Sequence, residues 1–211
     1  MLKGIIFDLD GVLCSTDLYH YQAWKTVADE IGIDFTESDN IKLRGISRME
    51  SLEILLGDRA KLFTNEEKSM LAEKKNHLYQ QLLSKMTEDD VQTETRQMLK
   101  DLKTRYRLAV GSSSKNTGSI LERTGIGPIF DAVADGNEIK HSKPDPEVFL
   151  LAADKLSLLP SECMVVEDAP AGIEAANAGG FMSVGLGEYV RNSPADVHID
   201  HVTDLMTLLP Q

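Results

Sequence analysis

Cysteine, positive charge and long apolar runs are all scarce in this chain. Its 211 residues hold two cysteines, Cys14 and Cys163, which make neither a disulfide framework nor a spaced metal cluster, so both read as free thiols and no redox role is indicated. Charges interrupt every apolar run before it reaches membrane-spanning length, and no signal-peptide pattern is present; the expectation is a cytoplasmic protein without a membrane partner. Lys and Arg number 22 against 34 Asp and Glu, for a net charge of −12. That balance argues against nucleic acid as a partner. It would equally repel a phosphorylated ligand, so a phosphate site here must gather its own cations and a divalent metal. There is no internal repeat and no low-complexity segment. The remainder, 27% charged and 42% hydrophobic residues, is the composition of an ordinary globular protein, long enough for one substantial core or for a core carrying a smaller insertion. Nothing in it demands more than a monomer.

The apolar pattern predicts a first strand over residues 3–9 and no second one until 107–111, with further short strands at 132–134, 163–167 and 181–185. Between the first and second strands the chain reads as helices. One runs from about Asp17 to Ile31 and stops at Gly32; the capping box Ser47-Arg48-Met49-Glu50 opens another, and Thr64-Asn65-Glu66-Glu67 a third. Strands alternating with helices imply an α/β fold with a doubly wound parallel sheet. The helical block is most simply an inserted cap domain, residues 15–90, interrupting a Rossmann-like core of 1–14 and 91–211, with hinges near 14–17 and 87–92.

Four segments fall at or near the ends of core strands. Phe7-Asp8-Leu9-Asp10-Gly11-Val12 places two carboxylates one residue apart, and if the extended backbone persists through Asp10 both face the same side. Gly111-Ser112-Ser113-Ser114-Lys115-Asn116 brings hydroxyls, amides and a lysine to the start of a helix, which suits a phosphate but equally suits a capped loop. Ser142-Lys143-Pro144-Asp145 sets a lysine before a proline that disfavours helix there, and its charge also reads as a solvated one. Glu167-Asp168 ends an apolar strand with paired acids that suit Mg2+, or cap the next helix. Each has a plain structural reading, the first pair as turn formers. Together they supply acids, hydroxyls, one lysine and more acids, the parts a phosphoryl transfer needs.

In order and spacing, Asp8-x-Asp10-Gly-Val, Ser112, Lys143-Pro and Glu167-Asp168 resemble the four motifs of the haloacid dehalogenase superfamily, across nearly the whole chain. The resemblance implies that Asp8 attacks phosphorus and becomes an aspartyl phosphate while Asp10 exchanges a proton with the sugar or water oxygen. It implies Mg2+ held by Asp8, the backbone carbonyl of Asp10 and Asp168, with Glu167 contributing nearby. Ser112 and Lys143 would bind the transferring phosphoryl.

The stretch from Asp10 through Trp24, with Leu43-Arg44-Gly45-Ile46-Ser47-Arg48, Lys74-Lys75-Asn76 and Ser114-Lys115-Asn116, is similar to the β-phosphoglucomutase-like subgroup. Thr16, His20 and Trp24 recur at helical spacing, although packing alone would explain Trp24. By similarity, Arg48, Ser114, Lys115 and Asn116 would hold the second phosphate of a sugar bisphosphate, Lys75 would lie beside the substrate, and His20 would link the cap to Asp10. The implied reaction interconverts β-D-glucose 1-phosphate and glucose 6-phosphate through the 1,6-bisphosphate. A phosphatase using water as acceptor, or a noncatalytic sugar-phosphate binding protein, are the other readings. The chain departs from the subgroup in carrying Arg44 for the usual lysine before Gly45, and Thr93-Glu94 for the common Pro-Gly. Guanidinium and ammonium are not interchangeable at an anion. Cys14 reads as packing, and His77, His141, His198 and His201 as structural or surface residues.

Overall fold

The structure, a computed structural model, describes residues 1–209. Its sheet has six parallel strands, β1 (Gly4–Phe7), β2 (Arg107–Gly111), β3 (Ala132–Ala134), β4 (Cys163–Glu167), β5 (Met182–Leu186) and β6 (Val197–Ile199). Their order is β3-β2-β1-β4-β5-β6. The chain winds outward from β1 to β3, then returns to the other side of β1 at β4. The gap between the carboxyl ends of β1 and β4 is therefore the switch point at which open α/β sheets bind ligands. Phe7 lies level with Val110 on one side and Val166 on the other, which sets Asp8 beside Glu167 at that gap.

Strand alternation divides the core. Ile5, Phe7, Leu108, Val110, Met164 and Val166 fall in one apolar cluster, while Ile6, Ala109 and Val165 fall in another, with Phe149 and Ala152 of α7 (Glu147–Lys155) and Ala175 of α8 (Pro170–Ala178). With both faces covered, β1, β4 and nearly all of β2 are wholly buried, so they read as unbroken apolar runs. The sixth strand was not anticipated: three residues long with His198 at its centre, it presents no such run. The first strand is shorter than predicted. It stops at Phe7, and the amides of Leu13 and Cys14 both turn back to the Leu9 carbonyl. Asp10 is thus placed by a turn and not by strand alternation.

The segment between β1 and β2 holds α1 (Asp17–Glu30), α2 (Glu37–Ile41), α3 (Arg48–Leu56), α4 (Asn65–Leu83) and α5 (Thr93–Lys103). Ser47 and Thr64 cap α3 and α4 through reciprocal bonds with Glu50 and Glu67, as their spacing predicts. The short α2 uses the same device, Thr36 with Asp39. Trp24, Phe35, Leu52, Leu56 and Ala72 form a third apolar cluster inside this block. Thr93 and Glu94 open α5, after a short 3-10 turn at Glu88–Asp90 that Thr87 caps. The remaining helices are α6 (Thr117–Thr124), before β3, and α9 (Leu205–Leu208), after β6. No helix among the described residues is long and apolar enough to cross a membrane.

Candidate active site

At the switch point a wholly buried ammonium joins two carboxylates. Lys143 Nζ donates to Asp8 Oδ1 at 2.5 Å and to Glu167 Oε1 at 2.6 Å, and its charge also faces the Phe149 ring at 4.6 Å. The Lys143–Pro144 peptide is cis. Burial by itself would depress the Lys143 pKa, but the attraction of Asp8 and Glu167 outweighs it and holds the amine above its ordinary value. The second Glu167 oxygen accepts the Ala169 amide at 2.7 Å. Gly172 permits this: a Cβ there would stand 2.0 Å from the Glu167 carboxyl carbon, so only glycine lets α8 approach.

The acids outnumber their partners. Burial, reinforced by Glu167 and Asp10, pushes Asp8 up to about 8 despite Lys143. Burial, with Glu167 and Asp8 beside it, lifts Asp168 well above the carboxylate range despite Arg44. Asp10 is also raised, mainly by burial, against the pull of its hydrogen bond from the Thr16 hydroxyl. Four carboxylates meet two cations, Lys143 and Arg44, and Arg44 is shared with Asp17. A divalent cation would supply the missing charge, and a donor set made only of oxygen suits a hard ion. No third side-chain ligand joins Asp8 and Asp168 in a tight group among the described residues, so an ion there would also need main-chain oxygen and water, as Mg2+ readily accepts. The group that does converge is His141 and Asp145, exposed at the cavity rim, with the half-buried Glu147, their ligand atoms within 4.8 Å; the Glu147 carboxylate is occupied by the amides of Lys140 and His141.

A cavity of about 970 Å3 separates these acids from the helical block. Of the residues singled out by sequence, Asp8, Asp10, His20, Trp24, Arg44, Gly45, Arg48, Lys75, Ser112, Ser114, Lys115 and Asn116 line it. Thr16, Lys143, Glu167 and Asp168 are buried behind that lining. Thr16 is the residue before α1 and not part of the helix. Ser112 Oγ accepts the Ser114 amide at 3.1 Å and Ser114 Oγ the Asn116 amide at 3.2 Å, so these hydroxyls shape the loop.

The far wall is cationic. Lys75 is buried, its Nζ 2.8 Å from His20 Nδ1 and above the rings of Trp24 and Tyr79. Burial, then the nearby Arg48, lowers Lys75 to about 7. Burial and the same lysine hold His20 well below its usual value. The ring is therefore neutral, and its Nδ1 accepts from the ammonium.

Several participants gave little sign of themselves in the sequence. Asn116 Nδ2 donates to Asn76 Oδ1 at 2.9 Å and its Oδ1 accepts from Gln80 at 3.0 Å, so the Asn116 amide is engaged by α4 instead of facing an anion. Asn76 and Gln80 are four apart on one helix face, and that spacing was the available signal. Glu50 accepts the Ser142 hydroxyl across the cavity while capping α3. Tyr79 and Asp17 carried no signal beyond ordinary helical positions. Cys14 is buried with its thiol toward the Leu9 carbonyl, consistent with packing.

Fold and site together define an α/β protein with an acid-lined centre at a topological switch point. The chain belongs to the haloacid dehalogenase-like hydrolase family, whose model matches residues 2–180. It is 41% identical to a β-phosphoglucomutase of Bacillus subtilis, over 97% of this chain and 92% of that protein. A crystal structure of β-phosphoglucomutase from Clostridium difficile is similar at a TM-score of 0.92 and 40% identity, covering 97% of this chain and 93% of the other. A phosphorylated carbohydrates phosphatase of Thermotoga maritima is 29% identical over 85% of this chain and 82% of its own.

Proposed function

We propose that this protein is a phosphosugar mutase interconverting β-D-glucose 1-phosphate and glucose 6-phosphate through a β-glucose 1,6-bisphosphate. The observation that carries this reading is the cavity's two-sided charge. Asp8, the carboxylate for attack on phosphorus, lies on one wall, and Lys75 with Arg48 lies on the other, neither forming an ion pair with an acid among the described residues. A phosphatase needs one phosphate site. A mutase holds a bisphosphate, and the cationic wall offers the second.

In this reading residues 15–90, which carry α1 to α4, act as a cap over the core formed by 1–14 and 91–211. Asp8 attacks phosphorus; the P–O bond to the sugar breaks and the aspartyl phosphate forms. Asp10, whose raised pKa favours the protonated carboxyl, gives its proton to the departing sugar oxygen and recovers one from the other hydroxyl when the phosphoryl returns. Lys143 holds Asp8 in place, its ammonium offsetting charge that would oppose attack by a carboxylate on an anion. Ser112 orders the loop facing the phosphoryl, and Ser114, Lys115 and Arg48 serve the far phosphate. Asn116 acts by fastening α4 to the core. Mg2+ fits the acids: Asp8, Asp168 and the Asp10 carbonyl would hold it, with Glu167 behind, and when bound it neutralises charge around the transferring group.

Closure of the cap excludes water, and so favours a sugar hydroxyl as acceptor. Purified protein with Mg2+, β-glucose 1-phosphate and a trace of bisphosphate is expected to form glucose 6-phosphate faster than inorganic phosphate. Predominant phosphate release would assign a phosphatase instead, the activity named for the relative from Thermotoga maritima. Running the α anomer in parallel tests the anomeric selectivity.

A further inference from the structure

Three groups clasp the side chain of Arg44. Its Nη1 donates to Asp168 Oδ2 at 2.8 Å, its Nη2 donates to Asp17, and its guanidinium carbon lies 4.2 Å from the centre of the Tyr189 ring. Asp17 begins α1 in the cap, whereas Asp168 and Tyr189 follow β4 and β5 in the core. The loop carrying Arg44 is pressed onto the core as well. Gly45 has φ +76°, and a Cβ there would stand 3.1 Å from that of Ala169. The clasp is imperfect: Arg44 Nε is buried without a hydrogen-bond partner, a deficit that weakens the hold of this conformation. Of the other side-chain bonds from cap to core, Thr16 reaches Asp10, whereas Glu50 with Ser142, α4 with Asn116 and Arg123 with the Ser84 carbonyl touch none of the four switch-point acids; among the described residues Arg44 is the one side chain that bonds to Asp168 from the cap.

In the mutase reading Asp168 is also a carboxylate for the divalent cation. A guanidinium and a divalent ion on one buried carboxylate stand a few ångströms apart, where repulsion is poorly screened. Each therefore weakens the other's hold. Resting on that metal assignment, we propose that Arg44 is a positioning residue that competes with the metal for Asp168, so that the metal-free protein is latched closed at this edge and metal loading releases the latch. Asp17 and Tyr189 keep the freed guanidinium at the seam between cap and core. Opening for the phosphosugar then succeeds arrival of the metal, so the empty site does not admit a substrate it cannot turn over. The planar fork is essential, because it reaches two carboxylates while lying on a ring; a lysine ammonium, a point charge, makes a weaker latch.

The test is a calorimetric titration of Mg2+ alone into the full chain, with no sugar phosphate present. Arg44→Met is expected to bind Mg2+ at least about tenfold more tightly than the wild type, and Arg44→Lys to fall between. Tyr189→Leu, which unseats the guanidinium without changing charge, is expected to shift affinity the same way by a smaller factor. Hydrogen exchange supplies a second readout: Mg2+ should speed exchange at 42–46 in the wild type, while Arg44→Met exchanges fast there without metal. Unchanged or weaker Mg2+ binding in these variants would overturn the proposal, whatever happens to their thermal stability. No Mg2+ binding by the wild type would instead overturn the metal assignment itself. If Arg44→Met fails to fold, Arg44→Lys and Tyr189→Leu decide by the same criteria.

Discussion

Lys75 is the residue at which function and stability pull hardest against each other. Its side chain is buried, and burial lowers the amine to about 7 from the ordinary 10.5. At about 1.36 kcal/mol per pH unit, that gap makes the charged lysine destabilising by about 5 kcal/mol at pH 6. The sign follows from the direction of the shift. With the folded pKa below the unfolded one, the penalty is complete below about 7 and fades as pH rises towards 10.5, reaching about 2 kcal/mol at pH 9. Lys75→Met removes the penalty but also loses the bond to His20 and the contacts over Trp24 and Tyr79, together about 2–3 kcal/mol. The ligand-free variant should therefore be more stable than the wild type by about 2–3 kcal/mol at pH 6, and by only about 1 kcal/mol at pH 9, where the neutral amine makes no cation–π contact and the bond to His20 is the main loss. Urea unfolding at both pH values measures this directly. A variant less stable at pH 6, or an advantage that does not shrink by pH 9, would refute the idea that the cavity wall stores an uncompensated charge. Sugar-phosphate affinity should fall in the same variant, since the anion is the partner the charge lacks.

Three further outcomes are expected. Binding of the phosphosugar at pH 8 should take up protons, because an anion beside Lys75 raises its pKa; calorimetry in buffers of differing ionisation enthalpy would show this, and zero uptake would contradict it. Asp8→Asn should abolish turnover and acid-stable labelling by phosphosugar, with any retained label removing Asp8 as the nucleophile. Gly172→Ala should destabilise the fold by about 3 kcal/mol, because the new Cβ meets the buried Glu167 carboxyl at 2.0 Å; an unaltered urea midpoint would show that α8 can yield.

Much of this protein was legible before folding. Buried parallel strands must be continuously apolar, so β1, β2 and β4 stood out, and the capping boxes at Ser47 and Thr64 announced α3 and α4 because their bonds are local. The acids, serines and lysine of the centre could be found for a related reason: each follows a core strand, and parallel winding brings every strand's end to one side of the sheet. Local signals failed where the chain is short or polar, as at α2 and β6.

Which partners those residues would meet was a different matter. Nothing in the sequence signalled that α4 would engage both ends of the Asn116 amide, nor that a turn at Leu9, in place of a backbone extended through Asp10, would carry Asp10 to Thr16. Arg44 was visible as a departure, but not as a bridge from Asp17 to an acid 124 residues away. Composition, periodicity and local caps determined the elements and the chemistry at their ends, because those depend on neighbours in the chain. Burial, charge balance and the meeting of the helical block with the sheet depend on neighbours in space, and only the tertiary structure decided them.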